Sequence, residues 1–296
     1  MTAKIVDGKA IAREVRAELK QRVDRLRARH HQPGLAVILV GDDLASNVYV
    51  GQKIKACKEV GVHSETHRFS EDVDEEAVLR RITELNDSPD IHGIIVQLPI
   101  PPRFHLRRVL EAIAVEKDVD GFHLYNVGGL AIGDSHRIFP PCTPQGVLLL
   151  LERSGIPVEG RNVVVVGASN IVGKPMALMM LRKEATVSIC HIKTKDLAQH
   201  TIQADILIVA AGKPNLIVPQ MVKTGAVVID VGINRLPNGR LVGDVDFEGV
   251  RQKASYITPV PGGVGPMTVT MLIWNTVAAA ERVAEQNPAR EEAVAL

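Results

Sequence analysis

Short, uninterrupted apolar runs recur along this chain, and they constrain its fold more than any other feature. Two of them, "LAVILV" at 35–40 and "GIIVQLP" at 93–99, lie in the first half, with stretches of helical spacing between them. Runs of this length that alternate with helices are typical of strands buried on both faces in βαβ units. The sequence therefore predicts an α/β protein with parallel sheets. Four further runs follow in the second half: "NVVVVG", "TVSIC", "DILIVAAG" and "GAVVIDVG".

The chain of 296 residues is long enough for two domains. Between Glu116 and Pro144 the sequence is rich in glycine and proline, which places a boundary there. We expect an N-terminal three-layer α/β domain, formed by 1–140 plus 267–296, and a Rossmann-like doubly wound parallel-sheet domain at 141–266. A cleft between the two domains is expected to hold the ligands.

Charge and composition narrow the class of partner. The formal net charge is +1 and aromatic residues make up 3% of the chain, so neither nucleic acid nor an anionic membrane is expected as a partner. Cys57, Cys142 and Cys190 form no CxxC pair and no HExxH motif occurs, so we expect no metal site. The first twenty residues carry charges throughout and no apolar run reaches the roughly 18 residues of a membrane span. These features predict a soluble cytoplasmic protein.

The stretch "VVVVGASNIVGKP" joins a buried strand to a helix through Gly167, Ser169 and Gly173. In such a turn, backbone N–H groups at the start of the helix face a pyrophosphate. The pattern departs from the full dinucleotide fingerprint, since serine replaces the middle glycine and the closing glycine comes one residue late. The alternative is an ordinary turn of a flavodoxin-like sheet.

The end of the next strand bears on the choice of dinucleotide. NAD-dependent enzymes usually carry an acidic residue about 20 residues after the glycine turn, where it binds the ribose hydroxyls. Here the sequence has His191, Lys193 and Lys195, which suit a 2′-phosphate and favour NADP over NAD. The alternative is that these lysines only cover a surface turn.

Tyr49 and Lys53 lie four residues apart on a predicted helix that Ser46 is placed to cap, so they share one face. If Val50, Ile54 and Cys57 form the buried stripe, Lys53 lies at its edge, where a lysine can enter a cleft and carry a proton. The alternative is a lysine that extends to solvent along the apolar surface. A short-chain dehydrogenase pair is disfavoured because this pair precedes the glycine turn by more than a hundred residues.

Two further polar residues are candidates for the site. Gln97 ends the second apolar run, where side chains commonly face the ligand crevice of a parallel sheet. Asp120, in "KDVDGF", places a carboxylate in a turn, although Asp-Gly is also a common turn pair with no further role.

In order along the chain, "SNVYVGQKIKACKEVGV", "GIIVQLPIPP", "KDVDGFH", "PCTPQGV", "VVVVGASNIVGKPM", "VVIDVGINR", "VGDVDF" and "ASYITPVPGGVGPMTV" resemble the motifs of bifunctional methylenetetrahydrofolate dehydrogenase/methenyltetrahydrofolate cyclohydrolase. The resemblance extends from Asp7 to about Thr276. It implies a folate-binding catalytic first domain and an NADP-binding second domain. It also implies NADP-dependent oxidation of 5,10-methylenetetrahydrofolate and hydrolysis of the methenyl product to 10-formyltetrahydrofolate.

The resemblance assigns roles to individual residues. Lys53 matches the catalytic lysine, Tyr49 the residue that stacks on the folate, Gln97 the partner of the lysine, and Asp120 the carboxylate that binds the pterin. It places Pro261, Gly262 and Gly263 in a folate-contacting loop, where proline fixes the course of the backbone and glycine allows close approach. The positions that match cofactor contacts are Gly167, Ala168, Ser169, Ile192 and Ile233.

Two departures from the family bear on the cofactor. Some relatives carry side chains that serve the 2′-phosphate where this chain has Ala168 and Ile192. Lys193 or Lys195 would have to substitute, so NAD stays open as the less favoured cofactor. Two other functions also stay open: a dehydrogenase without the hydrolase, and a non-catalytic dinucleotide sensor. The resemblance further implies a homodimer and a place in the one-carbon metabolism that supplies purine biosynthesis.

Overall fold

The structure is a computed structural model, and it describes residues 2–133 and 138–286. The chain divides into two compact units. The three-stranded unit contains 14–142 and 269–296, and the six-stranded unit contains 1–13 and 143–268. Within the three-stranded unit, residues 287–296 lie outside the described residues. The predicted ranges, 1–140 plus 267–296 and 141–266, differ from these mainly at the N-terminus.

Helices and strands alternate along most of the chain. The α-helices of the described residues are α1 (Gly8–Ala28), α2 (Leu44–Val60), α3 (Glu75–Asp87), α4 (Leu106–Glu111), α5 (Leu124–Ile132), α6 (Cys142–Arg153), α7 (Gly173–Leu181), α8 (Leu197–Thr201), α9 (Phe247–Arg251) and α10 (Val264–Gln286). The strands are β1 (Lys4–Ile5), β2 (Gly34–Val40), β3 (His63–Phe69), β4 (Gly93–Val96), β5 (Asn162–Val166), β6 (Thr186–Cys190), β7 (Ile206–Val209), β8 (Val227–Asp230), β9 (Asn234–Arg235), β10 (Leu241–Val242) and β11 (Tyr256–Ile257).

The three-stranded unit is built on a parallel sheet in the order β3-β2-β4. All seven residues of the central strand β2 are buried, as its continuous apolar run predicts. Alternate residues of β2 pack with α3 in one hydrophobic cluster, and the intervening residues are buried on the other face. The residues that α3 contributes are those with helical spacing: Val78, Ile82 and Leu85.

Helix α2 begins differently from the prediction. Asp43, rather than Ser46, caps it: the Asp43 carboxylate accepts a hydrogen bond of 2.7 Å from the backbone N–H of Ser46. Gly61 ends the helix in the left-handed conformation. Val50 and Cys57 are fully buried, but Ile54, expected in the same stripe, is 36% exposed.

The six-stranded unit has a parallel sheet in the order β1-β11-β8-β7-β5-β6. β5 lies between β6, which follows it in the chain, and β7, so the strand order reverses at β5. At such a switch point the loops after two neighbouring strands turn in opposite directions and leave a crevice at the carboxyl edge of the sheet. The prediction of two α/β units with parallel sheets is confirmed.

The first residues of the chain belong to the second sheet. Lys4 and Ile5 of β1 pair in parallel with Tyr256 and Ile257 of β11. The predicted boundary assigned these residues to the first domain, because two residues carry no strand signal of their own. Only pairing with a strand about 250 residues later reveals them.

Candidate active site

Helix α2 presents Tyr49 and Lys53 on one face, one turn apart. Lys53 is half-buried, and its Nζ donates a hydrogen bond of 3.0 Å to Oε1 of Gln97. Tyr49 is also half-buried, and burial raises the pKa of its hydroxyl, so the ring presents a neutral phenol. The predicted proximity of Lys53 and Gln97 therefore exists in the structure.

Gln97 follows directly after β4, and the backbone fixes its position. Its N–H donates 2.8 Å to the carbonyl of Ile38 in the neighbouring strand. Its side-chain Nε2 donates 2.8 Å to the carbonyl of Leu98, which directs Oε1 toward Lys53. The amide therefore has one orientation, and it holds the ammonium group from the side of the sheet.

Asp120 lies near the same lysine. Burial raises the pKa of its carboxyl, while the charge of Lys53 and a hydrogen bond from the Cys142 thiol lower it. The structure thus brings Lys53, Gln97 and Asp120 together, with Tyr49 one turn earlier on α2. A cation and a carboxylate in a desolvated environment are the elements of proton transfer and of polar ring recognition.

A buried polar network fixes the turn that carries Asp120. The Asp118 carboxylate, 1% exposed, accepts hydrogen bonds of 2.7 Å from the His123 N–H and from the Asn126 side chain. Asn275 of α10 donates 2.9 Å to the carbonyl of Val119. Sequence reasoning missed these three side chains, although Asp118 stands two residues before Asp120 in "KDVDGF".

Gly121 is required immediately after Asp120. Its φ is +74°, and a Cβ there would lie 2.4 Å from the carbonyl oxygen of Phe139. Only glycine adopts this conformation without strain and fits this space. The Asp-Gly pair is therefore a structural turn, and it also places a carboxylate beside Lys53.

In the six-stranded unit, the turn after β5 lies at the switch point of the sheet. Gly167 has φ +124°, and a Cβ there would lie 2.2 Å from the Ala210 carbonyl oxygen, in the segment after β7. A Cβ on Gly173 would lie 2.0 Å from the Gly167 carbonyl oxygen. Gly167 allows the loop after β5 to pack against the loop after β7, and Gly173 allows α7 to pack against the loop after β5. In dinucleotide-binding sheets, glycines at such a turn let the backbone approach the ligand closely.

Ser169 caps the start of α7 from within the same turn. Its Oγ accepts hydrogen bonds from the N–H groups of Val172, at 3.1 Å, and Gly173, at 3.4 Å. Where the fingerprint has its middle glycine, this chain therefore has a side chain that fixes the turn.

The segment after β6 is open to solvent. Ile192 is 97% exposed, and Lys193 and Lys195 are also exposed. The His191 ring accepts a hydrogen bond of 3.1 Å from the Lys193 N–H, which orders the turn. Ile233, after β8, is 43% exposed and lies close to Gly265 at the start of α10.

The loop at 261–263 belongs to the six-stranded unit. Pro261 is exposed, whereas Gly262 and Gly263 are buried. Gly262 has φ +112°, its carbonyl accepts a hydrogen bond of 3.1 Å from the Lys9 N–H, and the Gly263 carbonyl lies against Gly8. The glycines thus allow this loop to pack against the start of α1. Pro266 lies in the first turn of α10, where its missing N–H is tolerated.

Models of two protein domains match this chain. Residues 6–120 match the catalytic domain of tetrahydrofolate dehydrogenase/cyclohydrolase, and residues 141–284 match the NAD(P)-binding domain of the same enzymes. The chain belongs to the tetrahydrofolate dehydrogenase/cyclohydrolase family.

Individual relatives agree over nearly the whole length. Bifunctional protein FolD of Nitrosospira multiformis is 63% identical, over 95% of this chain and 97% of the relative. The crystal structure of the bifunctional FolD methylenetetrahydrofolate dehydrogenase/cyclohydrolase of Campylobacter jejuni is 52% identical, covers 95% of this chain and 99% of its own, and superimposes with a TM-score of 0.93. The Trypanosoma brucei enzyme, solved with NADP and an inhibitor, is 39% identical over 96% and 99% of the two chains, with a TM-score of 0.92.

In the six-stranded unit, the residues at the switch point of the sheet fit a dinucleotide. Gly167 and Gly173 leave no space for a Cβ and allow close approach of backbone, and two exposed lysines follow the next strand. Among residues 2–133 and 138–286, no group of three or more His, Cys, Asp or Glu side chains could hold a metal ion. Within the same residues, no helix is long and apolar enough to cross a membrane.

Proposed function

We propose that this chain catalyses two successive reactions on one folate: NADP-dependent oxidation of 5,10-methylenetetrahydrofolate to the methenyl cation, and hydrolysis of that cation to 10-formyltetrahydrofolate. Membership of the family supports both activities. The observation that carries the proposal is the hydrogen bond from Lys53 to Gln97 beside the Asp120 carboxylate, because it supplies the polar groups that hydrolysis requires.

Asp120 is proposed to bind the pterin ring. A pterin edge presents adjacent N–H donors, which an ionised carboxylate accepts in a bidentate manner. Burial disfavours the ionised form, and the nearby charge of Lys53 and the Cys142 thiol offset part of that cost. Tyr49, on the same face of α2 as Lys53, is proposed to stack on the folate ring system.

For the oxidation, this chain has to bind and align the two ligands. NADP, when bound, supplies the hydride acceptor. Gly167, Ala168 and Ser169 are proposed to hold the pyrophosphate by their backbone, with Ile233 beside the cofactor and Lys193 or Lys195 near the 2′-phosphate. Ile192 is at the same turn, and its backbone is proposed to contact the cofactor. Alignment contributes most of the rate because the nitrogen lone pairs of the folate stabilise the methenyl cation without help from an acid or base.

For the hydrolysis, Lys53 is proposed to be the proton carrier. Water adds its oxygen to the methenyl carbon and loses one proton. The bond from that carbon to N5 then breaks, N5 gains a proton, and the hydroxyl loses its remaining proton to become the formyl carbonyl. Two protons leave the water and one is taken up by N5, so one proton is released overall. A positioned amine near the reacting carbon can accept the first proton and return one to N5. Gln97 holds the amine in place through Oε1.

Pro261, Gly262 and Gly263 are proposed to contribute to folate binding through the exposed Pro261 end of their loop. We assign folate binding to the domain formed by 1–140 plus 267–296 and NADP binding to the domain formed by 141–266. Residues 2–13 are an exception, because β1 pairs with the sheet of the NADP-binding domain. The proposed location is the cytoplasm, where the formyl product would enter purine biosynthesis.

A homodimer is proposed on the basis of the six-stranded sheet. β6 stands at one end of the strand order, and Ile189 within it is 43% exposed. An edge strand with an exposed apolar side chain is suited to pairing with another copy. Analytical ultracentrifugation at micromolar concentration should give twice the chain mass, and a single-chain mass would contradict the dimer.

The two activities are tested with Lys53→Met and, as a matched control on the same helix, Lys55→Met, whose side chain is exposed. We expect Lys53→Met to lower the turnover of methenyltetrahydrofolate by about 100-fold or more, the range for a lost acid–base group. Lys55→Met should keep the wild-type rate. In Lys53→Met, folate binding should change less than turnover.

The alternatives predict other outcomes. A dehydrogenase without hydrolase would reduce NADP on mixing with methylenetetrahydrofolate, but it would not accelerate formation of the formyl product, and Lys53→Met would leave its products unchanged. A dinucleotide sensor would bind NADP and reduce none of it.

A further inference from the structure

We infer that Asp244 is a positioning residue for the cofactor: its buried carboxylate holds the exposed turn 211–213 beside the glycine turn of the NADP-binding unit. The inference rests on the proposed function, because it assigns a role toward the proposed NADP site. Asp244 lies in "VGDVDF", one of the motifs that resemble the family, but the resemblance assigned no role to it.

Asp244 is fully buried and accepts four hydrogen bonds. Oδ2 accepts from the N–H groups of Ala211, at 2.6 Å, and Gly212, at 2.9 Å. Oδ1 accepts 2.9 Å from the Lys213 N–H and 2.8 Å from the Asn234 side chain. An ionised carboxylate has about four lone-pair positions, and this one uses all of them.

The turn that Asp244 holds is exposed, and its amides nevertheless point inward. Ala211, Gly212 and Lys213 are all exposed at the surface, while each of their N–H groups is directed to the same buried carboxylate. A turn without apolar packing usually moves. Here one side chain fixes three successive amides.

This turn lies at the switch point. It follows β7, and the carbonyl oxygen of Ala210, the residue before it, is the group that leaves no space for a Cβ on Gly167. The Ala210 N–H also donates 2.7 Å to the carbonyl of Val166, which precedes Gly167. A shift of 211–213 would therefore be transmitted directly to the proposed pyrophosphate turn.

The Asn234 contact extends the same anchor to a second cofactor position. Asn234 follows Ile233, and a Cβ on Gly232, the residue before Ile233, would lie 2.3 Å from Oδ1 of Asp244. The carboxylate thus lies between the loop after β7 and the loop after β8. Both loops belong to the carboxyl edge of one parallel sheet, where ligands of such sheets bind.

A second buried carboxylate supports the first. Asp230, 3% exposed, accepts hydrogen bonds of 3.0 Å from the N–H groups of Gly232, Asp244 and Val245. It therefore uses three of its lone-pair positions and keeps one, on Oδ2, for a proton. Burial, together with the charge of Asp244, raises the pKa of Asp230 to about 7.

The test compares Asp244→Asn with Asp246→Asn. In Asp244→Asn, an N–H₂ group replaces one of the two carboxylate oxygens. Because each oxygen accepts hydrogen bonds from two donors, the donors that faced the replaced oxygen lose their acceptor. In the control, asparagine replaces the N-cap of α9, where it performs the same function, because the Asp246 oxygen accepts a single hydrogen bond from Gly249.

We expect amide hydrogen exchange at 211–213, measured without cofactor, to be about tenfold to 100-fold faster in Asp244→Asn than in the wild type, the range for lost hydrogen bonds to a charged group. The dissociation constant for NADP should rise by a similar factor. Hydrolysis of methenyltetrahydrofolate, assayed without NADP, should stay within about twofold, because Lys53 lies in the other unit. Asp246→Asn should match the wild type in all three.

Unchanged exchange at 211–213, or an equal loss of NADP binding and hydrolysis, would overturn the inference. If Asp244→Asn does not fold, the wild-type protein decides. Protection factors below about 10 for the N–H groups of residues 211–213 would contradict the proposal that Asp244 holds them. If the wild type binds no NADP, the proposed function fails, whereas the exchange data still report on the anchor itself.

Discussion

The two units place their functional groups in opposite ways. In the three-stranded unit the chemistry resides in side chains: Lys53 projects from α2 and Gln97 from the end of β4, and one hydrogen bond joins them. In the six-stranded unit the proposed ligand surface is backbone, shaped by glycines such as Gly167 and held by the buried carboxylate of Asp244.

This difference determines how each site can be altered. A side-chain site is changed by a single substitution that leaves the backbone in place. A backbone site has no functional side chain to remove, so it changes only when a residue that shapes or anchors it is replaced. The following predictions test this contrast.

The largest effect on ligand affinity is expected for Gly167→Ala. The new Cβ would lie 2.2 Å from the Ala210 carbonyl oxygen at a φ of +124°, so the turn must move. Loss of two hydrogen bonds to a charged phosphate, at about 1.5 kcal/mol each, weakens binding by about 100-fold. Titration with NADP measures the affinity.

The control is Gly239→Ala, which has φ +81° but no atom within 4 Å of the new Cβ. It introduces positive-φ strain without overlap. Similar NADP affinities for the two variants would show that steric overlap at Gly167 does not shape the site.

A smaller effect, on folate, is expected for Asp120→Asn. The amide presents a donor where the pterin needs an acceptor, so we expect folate affinity to fall by about tenfold. Stability should be equal or higher, because burial penalises the ionised carboxylate, as its raised pKa indicates, and asparagine removes that charge. Folate titration and urea unfolding measure the two quantities.

Asp87→Asn replaces an exposed carboxylate of the same unit and should change neither quantity. If Asp120→Asn lost stability and kept its folate affinity, Asp120 would be a structural residue and the pterin role would be wrong.

The last prediction concerns stability rather than ligand affinity, and it is a pH dependence due to Asp230. The folded protein keeps the Asp230 proton up to about pH 7, whereas the unfolded chain releases it near the ordinary pKa of 3.8. The free energy of unfolding therefore falls as pH rises between these values. In Asp230→Asn this contribution is absent, so the stability difference, wild type minus variant, should decrease from pH 4 to about 7 and then become constant. Urea unfolding at several pH values measures it, and a difference independent of pH would contradict the assignment.

Much of the fold could be predicted because its signals are local. The buried strands β2, β5, β7 and β8 are continuous apolar runs, and the buried residues of α3 repeat with helical spacing. Local rules marked Lys53 and Gln97 as separate candidates, one at the edge of an apolar stripe and the other at the end of a strand. That the two side chains pair was implied by the resemblance to the family.

Strand β3 shows where such rules fail. Its sequence, "HSETHRF", is polar on both faces, and it lies at the edge of the sheet, where its residues are half-buried or exposed and need not be apolar. The N-cap of α2 was also predicted at the wrong residue. Asp43 and Ser46 are both favourable N-cap residues, and only the structure shows that Asp43 caps the helix.

The supporting residues of both sites were also missed. Asp118, Asn126 and Asn275 lie behind Asp120, and Asp244 lies behind the turn 211–213. Asn275 bonds a carbonyl 156 residues earlier and Asp244 bonds an amide 33 residues earlier, so no local pattern reveals these contacts. The bond between Asp118 and Asn126 spans only 8 residues, but it lies in an irregular turn that has no periodic pattern. A carboxylate within an apolar segment, such as Asp230 in "VVID", is the one local signal of this kind.

Strand β1 makes the sheet of the NADP-binding unit depend on residues that precede their partner strand by about 250 positions in the chain. Lys4 and Ile5 find their partners only after Tyr256 and Ile257 have been synthesised, so the outer edge of that sheet closes last. A fragment beginning at residue 141 would therefore leave the β11 edge uncovered, so the nucleotide-binding unit cannot be isolated by cutting the chain at its predicted boundary without losing a strand.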